Sequence, residues 1–354
     1  MKKTLSLIII TLVLQACNLN SDSSVNLKPR AKGSIGEIVL VMDTSLWKKP
    51  LGLELKELLT SEVPGLPRPE PLYKVHFIDP ERLNNVLKGA SNMIFVTTLD
   101  GSRKMRNFFT PESLEKMRQN PDLFMNSAQN EFARDQEVLQ LFGKDEATLL
   151  TKIKENRSII RSHFNEVEKK RLILQYKTDP SEKGIEKTLL NDYGIKMHIP
   201  KGFQTAIAKK NFIWLRDMKY NVDRSIFITW QQYTSETMFE KDTIVQWRNK
   251  VAKKYLYADT DDSLSYVKTE IQYALVNNRR INFNDNYGVE LKALWKTNNI
   301  SMGGPFVSYT FLDKTSNRLY YIEAFVYSPN VDQRNIVKQL EAVLWTFNTK
   351  STED

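Results

Sequence analysis

The sequence contains a single cysteine, Cys17, in 354 residues. No disulfide can close within the chain and no thiolate metal cage can form, so any folded domain must be held by an apolar core. Histidine is almost as scarce. His76, His163 and His198 lie far apart and make no H-E-x-x-H pair, so each reads as a structural residue and not as a metal ligand. There is no G-x-S-x-G elbow, no P-loop and no dinucleotide glycine pattern; Gly33 and Gly36 alone do not make one. No apolar run reaches the ~20 residues that cross a bilayer as a helix, and no repeat recurs at solenoid periods. The sequence therefore nominates no catalytic residue, no metal ligand and no cofactor.

What is present begins with ordinary globular composition: 41% hydrophobic, 26% charged, and a net charge of +9. The length suits two domains of ~100–200 residues each. The positive surplus favours an anionic membrane face or polymer over a neutral one; nucleic acid is not expected as a partner. In Met1–Cys17 (MKKTLSLIIITLVLQAC), two lysines precede the apolar run Leu5 to Leu14, and the small Ala16 sits before Cys17. This is the layout of a secretory signal; a buried N-terminal helix or an ordinary cleaved signal is the plainer alternative to lipidation. Leu14-Gln15-Ala16-Cys17 resembles the lipobox of bacterial lipoproteins, with Gln15 where a small residue is usual. That resemblance implies cleavage after residue 16, acylation of Cys17, and anchorage to a membrane. Each buried methylene would add ~0.8 kcal/mol, so three acyl chains would hold durably. Only Asp22 is acidic near the cysteine; surface-export tags of bacterial lipoproteins are more acidic, so the resemblance implies the periplasmic face of an outer membrane.

Residues 17–33 read as a polar tether. From 34 to 177 the chain alternates strand and helix, the pattern of an α/β domain. Glu37–Met42 and Met93–Val96 are continuous apolar runs, as in strands covered on both faces. Pro50 opens a helix carrying Leu51, Leu55, Leu58 and Leu59; Asp79-Pro80 and Thr110-Pro111 open others. Residues 64–71, PGLPRPEP, read as an extended connector. Asp145 caps a predicted single helix over 146–176, with Leu149, Leu150, Ile153, Ile160, Phe164, Val167 and Leu174 on one stripe and a strongly basic remainder. That basic face is either solvated or turned to anionic lipid. TDPSEKG, 178–184, reads as a linker. Residues 185–348 hold five of the six tryptophans and read as antiparallel strands with flanking helices, an α+β domain.

Gly36–Asp43 (GEIVLVMD), Trp47 with Pro50-Leu51-Gly52, and Glu62–Pro71 (EVPGLPRPEP) resemble Bacteroidota lipoproteins carrying the domain of unknown function numbered 4837, over nearly the whole chain beyond the signal. The resemblance implies a lipoprotein of the cell envelope and supplies no catalytic residue. In the second half, an apolar strand, an IPKGF turn, further strands, a GGPF strand, a hairpin and a closing helix resemble the pattern of the Mog1/PsbP-like fold.

Asp43, Thr44, Ser45 and Trp47 follow the first predicted strand. Ligands of open α/β sheets bind beyond the carboxyl ends of strands, which makes these four the first candidate binding site; the alternative is a cap and a packed aromatic. Arg103, Lys104 and Arg106, in the predicted loop DGSRKMRN, are a second candidate, for an anion, against plain solvation. Asp259, Asp261 and Asp262 lack the glycine and spacing of a calcium loop and read as solvated. The aromatics of the second half offer a stacking platform for sugar or peptide, against a place in the core. Two functions follow as expectations. One is a non-enzymatic envelope lipoprotein, a binding or scaffold protein with a protein or glycan partner. The other is an envelope hydrolase acting on glycan, which needs two carboxyl groups ~5–10 Å apart in one cleft, at least one with a raised pKa.

Overall fold

The structure is a computed structural model that describes residues 28–256, 265–299 and 302–349. Cys17, most of the tether, and Asp259, Asp261 and Asp262 lie outside the described residues. The first domain is built on a five-stranded sheet of β1 (Glu37–Val41), β2 (Lys74–Ile78), β3 (Asn92–Thr98), β4 (Met125–Gln129) and β5 (Glu137–Gly143), in the order β2-β1-β3-β5-β4. Only β4 runs antiparallel to its neighbour. β3 is buried along its whole length, which is why its sequence is apolar without alternation.

Helices cover both faces of this sheet. α1 (Pro50–Thr60) packs Leu51, Leu55, Leu58 and Leu59 on one face. On the other, Met105, Phe109 and the Met117 of α2 (Pro111–Gln119) pack against Val39, Val41, Met93 and Phe95. The predicted helix over 146–176 is instead two, α3 (Glu146–Glu155) and α4 (Arg157–Thr178). Asn156 breaks it at φ −116° and ψ 24°. Its side-chain Nδ2 donates to the Lys152 carbonyl at 2.8 Å, a local bond that competes with the helical ladder. Beyond the break the apolar stripe turns: Leu174 is 63% exposed, while Glu168 and Leu172 are buried. The basic face is not free either. Lys152 pairs with Asp122, Arg157 with Glu54 and Glu57, and Arg171 donates to Asn92 and Ser91.

The linker expected over 178–184 shrinks to four residues. α4 runs to Thr178, Ser181 bridges to Pro200, and α5 (Lys183–Tyr193) has begun by residue 183. α5 ends on Gly194 at φ +70°, the left-handed cap that favours glycine. Only the short β6 (Ile195–Lys196) follows it. The second domain's sheet contains β7 (Gln204–Lys209), β8 (Phe212–Lys219), β9 (Val222–Gln232), β10 (Val267–Thr269), β11 (Asn277–Phe283), β12 (Asn286–Thr297), β13 (Gly303–Asp313) and β14 (Arg318–Tyr327). The order is β10-β12-β13-β14-β9-β8-β7, with β11 also paired to β12, and the named pairs are antiparallel. α6 (Lys241–Tyr255) covers one face through Ile244, Val245 and Ala252. α5 and α7 (Arg334–Leu344) cover the other through Leu189, Leu340, Val343 and Leu344. β15 (Asn348–Thr349) pairs with β6. The architecture is thus an α/β domain followed by an antiparallel α+β domain.

The face under α6 contains a fully buried ion pair. Arg248 of α6 donates to both carboxylate oxygens of Glu323 on β14, at 3.0 and 2.8 Å, with neither side chain exposed. Tyr321 also donates to Glu323, and the guanidinium lies 4.5 Å over the Phe306 ring. Glu323→Ala strands a buried cation and should cost about 3–5 kcal/mol in urea unfolding. Replacing both partners with Met and Leu should recover most of that loss; a double variant as unstable as the single would contradict this account of the pair.

Candidate functional site

Where the two domains meet, each supplies what the other lacks. α7 begins at Arg334, and the side chain of its N-cap Gln333 turns back to the Ser328 carbonyl and caps none of the helix amides. The exposed amides are met by Glu70 of the first domain, which accepts from the backbone N–H of Gln333 at 2.7 Å and of Arg334 at 3.0 Å. A carboxylate there satisfies donors and suits the helix dipole. Glu70 is brought to that point by the proline-rich stretch. It is not the extended connector its composition suggests: Glu62 bridges back to Pro71, and Val63 N–H donates to the Glu70 carbonyl. Arg334 reciprocates by donating to the carbonyls of Pro71 and Leu72, both at 2.9 Å, and of Ile35 at 3.1 Å. Gly36, at φ +74°, makes room for it; a Cβ there would stand 2.5 Å from the guanidinium.

A second link is ionic. Glu168 of α4 is 3% exposed; it accepts from Gly36 N–H at 2.6 Å, Asn92 Nδ2 at 2.9 Å and Lys338 Nζ of α7 at 2.7 Å. Burial depresses the Lys338 ammonium, and Glu168 only partly restores it.

Between these links lies a cavity of about 230 Å³. Val63, Leu66, Leu172, Pro305, Phe306 and Val337 give it apolar walls. Its polar side is a network on β11, β12, β13 and α7. Arg279 grips Glu290 through two bonds, at 2.6 and 3.1 Å. Lys292 donates to both oxygens of Glu341, at 3.1 and 3.2 Å. The Tyr309 hydroxyl lies 2.8 Å from Glu341 and 3.3 Å from Glu290, and accepts from Trp345 Nε1 at 2.9 Å. Lys169 pairs with Glu166 and stands 4.2 Å over the Trp345 ring. Burial alone would push the Glu341 carboxyl up, but Lys292 beside it and the Tyr309 and Lys292 hydrogen bonds hold it below the ordinary carboxylate range. Burial and the two carboxylates hold Tyr309 far above its usual value, so it stays a neutral phenol. The hydrolase requirement is half met here. Glu166, Glu168, Glu290 and Glu341 all line the cavity, but the shifted one, Glu341, is held ionised, and an ionised carboxylate is no general acid. None of these residues was nominated from sequence; they come from five separate elements, and only the fold collects them.

The residues that were nominated lie at the opposite, carboxyl end of the first sheet. Asp43 accepts from Ser102 Oγ at 2.6 Å, which joins the end of β1 to the basic turn. Asp43, Ser45, Thr98, Asp100 and Ser102 edge a polar hollow of about 390 Å³. Thr44 is occupied with Asp79, through Oγ1 at 2.6 Å and N–H at 3.2 Å. Trp47 is stacked on Phe77, rings 4.7 Å apart and 7° from parallel, and half-buried in the core. Arg103, Lys104 and Arg106 form one helical turn capped by Ser102, not a loop. Lys104 pairs with Glu81 and Arg106 donates to the Leu99 carbonyl at 2.9 Å, while Arg103 is exposed. The tryptophans form no exposed platform: Trp214, Trp230 and Trp295 are core residues, and Trp247 and Trp345 pack beside them.

The folded pKa of Glu341 lies below its unfolded value of 4.5. Its stabilisation is therefore complete above about pH 4.5 and is lost as the pH falls through the lowered value. Glu341→Gln should cost about 1–3 kcal/mol at about pH 7, and the gap in urea midpoint should narrow as the pH falls below 4.5. A gap that stays constant with pH would contradict the assignment.

Residues 182–346 match the family described as a domain of unknown function, DUF4837. Residues 31–177 match a second, DUF8532. The stretches that suggested 4837 from sequence, Gly36–Asp43, Trp47, Pro50-Leu51-Gly52 and Glu62–Pro71, fall in the segment matched by the second, so the 4837 match spans the second domain and not nearly the whole chain. No curated protein matches this chain. Among solved structures, the Saccharomyces cerevisiae Ran-binding protein Mog1p is similar at 8% identity and a TM-score of 0.31, over 46% of this chain and 94% of that one. A point mutant of protein Mog1 is similar at 8% identity and 0.30, over 45% and 93%. The second domain thus matches the DUF4837 family model, a description that assigns it no activity.

Proposed function

We propose that this protein is a cell-envelope lipoprotein, held to a membrane through acylated Cys17, whose two domains act as one non-enzymatic binding or scaffold body. The observation that carries the binding role is the state of the interdomain cavity. Each charged side chain on its wall has a partner: Glu166 with Lys169, Glu168 with Lys338, Arg279 with Glu290, Lys292 with Glu341, and Arg334 with backbone carbonyls. A site so neutralised, with apolar walls, suits holding a ligand or a partner's side chain more than exchanging protons with a substrate. The partner is an envelope protein or a glycan, and the periplasmic face of the outer membrane is the proposed location. The anchor rests on the lipobox-like LQAC and the polar tether after it. Among the described residues no helix is long and apolar enough to cross a membrane, so the acyl chains would carry the attachment.

Expression of the full chain in a bacterial host with labelled palmitate tests the anchor. Wild type should incorporate label and sediment with membranes; Cys17→Ser should lose the label and move to the soluble fraction. Unlabelled wild type, or label retained in Cys17→Ser, would contradict it. Val337→Trp, which fills the cavity, should abolish recovery of a defined crosslinked partner from intact cells while leaving the melting temperature unchanged. Undiminished recovery would remove the cavity from the reading.

A further inference from the structure

The second domain carries another hollow, on the sheet face opposite the interdomain cavity, and its chemistry is different. β11 and β12 are joined by a two-residue turn, Asn284 and Asp285, both at positive φ (46° and 66°), which fixes the register Arg280 to Val289 and Asn282 to Tyr287. Side chains alternate across a strand. Arg279 therefore points to Glu290 in the interdomain cavity, while Asn278 and Arg280 share the outer face with Tyr287 and Val289. There they meet the segment leading into α6. The result is an open hollow of about 770 Å³ edged by Tyr233, Phe239 and Tyr287 with Asn278, Arg280, Glu236, Glu240 and Lys241.

Two features set it apart. The first is its rings. Phe239 meets Tyr287 edge to face at 4.9 Å and 81°, and Tyr233 lies 6.0 Å from Phe239, so the rings brace one another while Tyr287 remains 45% exposed. The second is its polar groups. In the interdomain cavity each charge is matched, whereas the side chains of Asn278, Arg280, Glu236 and Glu240 make no hydrogen bond or ion pair among the described residues. Two carboxylates, Glu236 and Glu240, balance two cations, Arg280 and Lys241, so the hollow favours neither sign of ligand charge.

We propose that this hollow binds a neutral saccharide. A sugar ring presents a C–H face that packs on an aromatic ring, and hydroxyls at its rim that donate and accept together. The braced Tyr287 ring supplies the apolar floor. Asn278 and Arg280 supply donors, Asn278 and the glutamates supply acceptors, and both kinds are open at once. The volume lies within the ~300–1,000 Å³ of small-molecule sites. This goes beyond the binding role proposed above and stands apart from it, because it uses neither Cys17 nor the interdomain cavity.

Titration calorimetry of the full chain in detergent micelles, against maltotetraose, chitotetraose and mannotetraose, tests it. Heparin tetrasaccharide and an extended polar decapeptide serve as competitors of other chemistry, the peptide because β11 pairs only with β12 among the described residues. At least one neutral tetrasaccharide should bind. Tyr287→Ala and Arg280→Ala should each weaken it by about tenfold or more, and Tyr287→Phe, which keeps the ring, should not. Circular dichroism checks that each variant is folded; Asn278→Ala, on the exposed side of β11, gives an independent reading if Tyr287→Ala unfolds. Cys17→Ser and Val337→Trp should leave sugar binding intact, so failure of the anchor or cavity reading is separable from failure of this one. No binding to any neutral sugar, binding indifferent to Tyr287→Ala and Asn278→Ala, or binding only of the heparin fragment or the peptide would overturn the proposal.

Discussion

The structure depends on a reciprocal clamp between its domains. Helix α7 presents amides that its own sequence leaves uncapped, and Glu70 of the first domain takes two of them. The first residue of that helix, Arg334, returns three hydrogen bonds to carbonyls at Ile35, Pro71 and Leu72. Each half is an unsatisfied group of one domain met by a complementary group of the other, and leaving either half unmade costs desolvation without recompense. The Glu168–Lys338 pair adds a buried contact, and Gly36 serves both, through its amide and through the Cβ it lacks. Four residues between α4 and α5 leave the chain little slack against this arrangement.

Because the clamp fixes α7 against α4 and the proline-rich turn, it also fixes the walls of the interdomain cavity. The charges there are matched pair by pair, which gives the cavity a rigid lining and little chemistry to offer. The hollow beyond β11 is the converse: its rings are braced and its polar side chains are open. One strand separates the two, and the alternation of Arg279 and Arg280 along it sends one guanidinium into each. The two proposed binding sites thus lie on opposite faces of a single sheet.

Much of the fold was legible in the sequence where the signal was local. The continuous apolar runs gave β1 and β3, the caps at Asp79, Thr110 and Asp145 each accept the expected backbone N–H, and the hairpin and closing helix of the second half formed as read. Signals that depended on distant partners were not legible. The predicted apolar stripe runs through Val167 and Leu174, yet Glu168 is the buried residue there, because Lys338 meets it from 170 positions away. β7 and β11 are exposed edge strands with weak alternation, and neither was foreseen. PGLPRPEP read as a spacer because proline lacks amide donors, yet the Pro71 carbonyl and the Glu70 carboxylate are what the clamp uses. The nominated residues at Asp43 and Trp47 were placed correctly beyond β1, but Thr44 and Trp47 are occupied by Asp79 and Phe77. The cavity between the domains has no sequence signature, since Arg279, Lys292, Tyr309 and Glu341 are joined only by tertiary folding.

The most direct test of the clamp is differential scanning calorimetry of the wild type beside the Glu70→Ala, Arg334→Ala double variant. Two domains tied in this way should melt in one cooperative transition, and removing both halves of the tie should resolve it into two, one for each domain. Two transitions already present in the wild type, or a double variant that still melts in one at an unchanged temperature, would contradict the account.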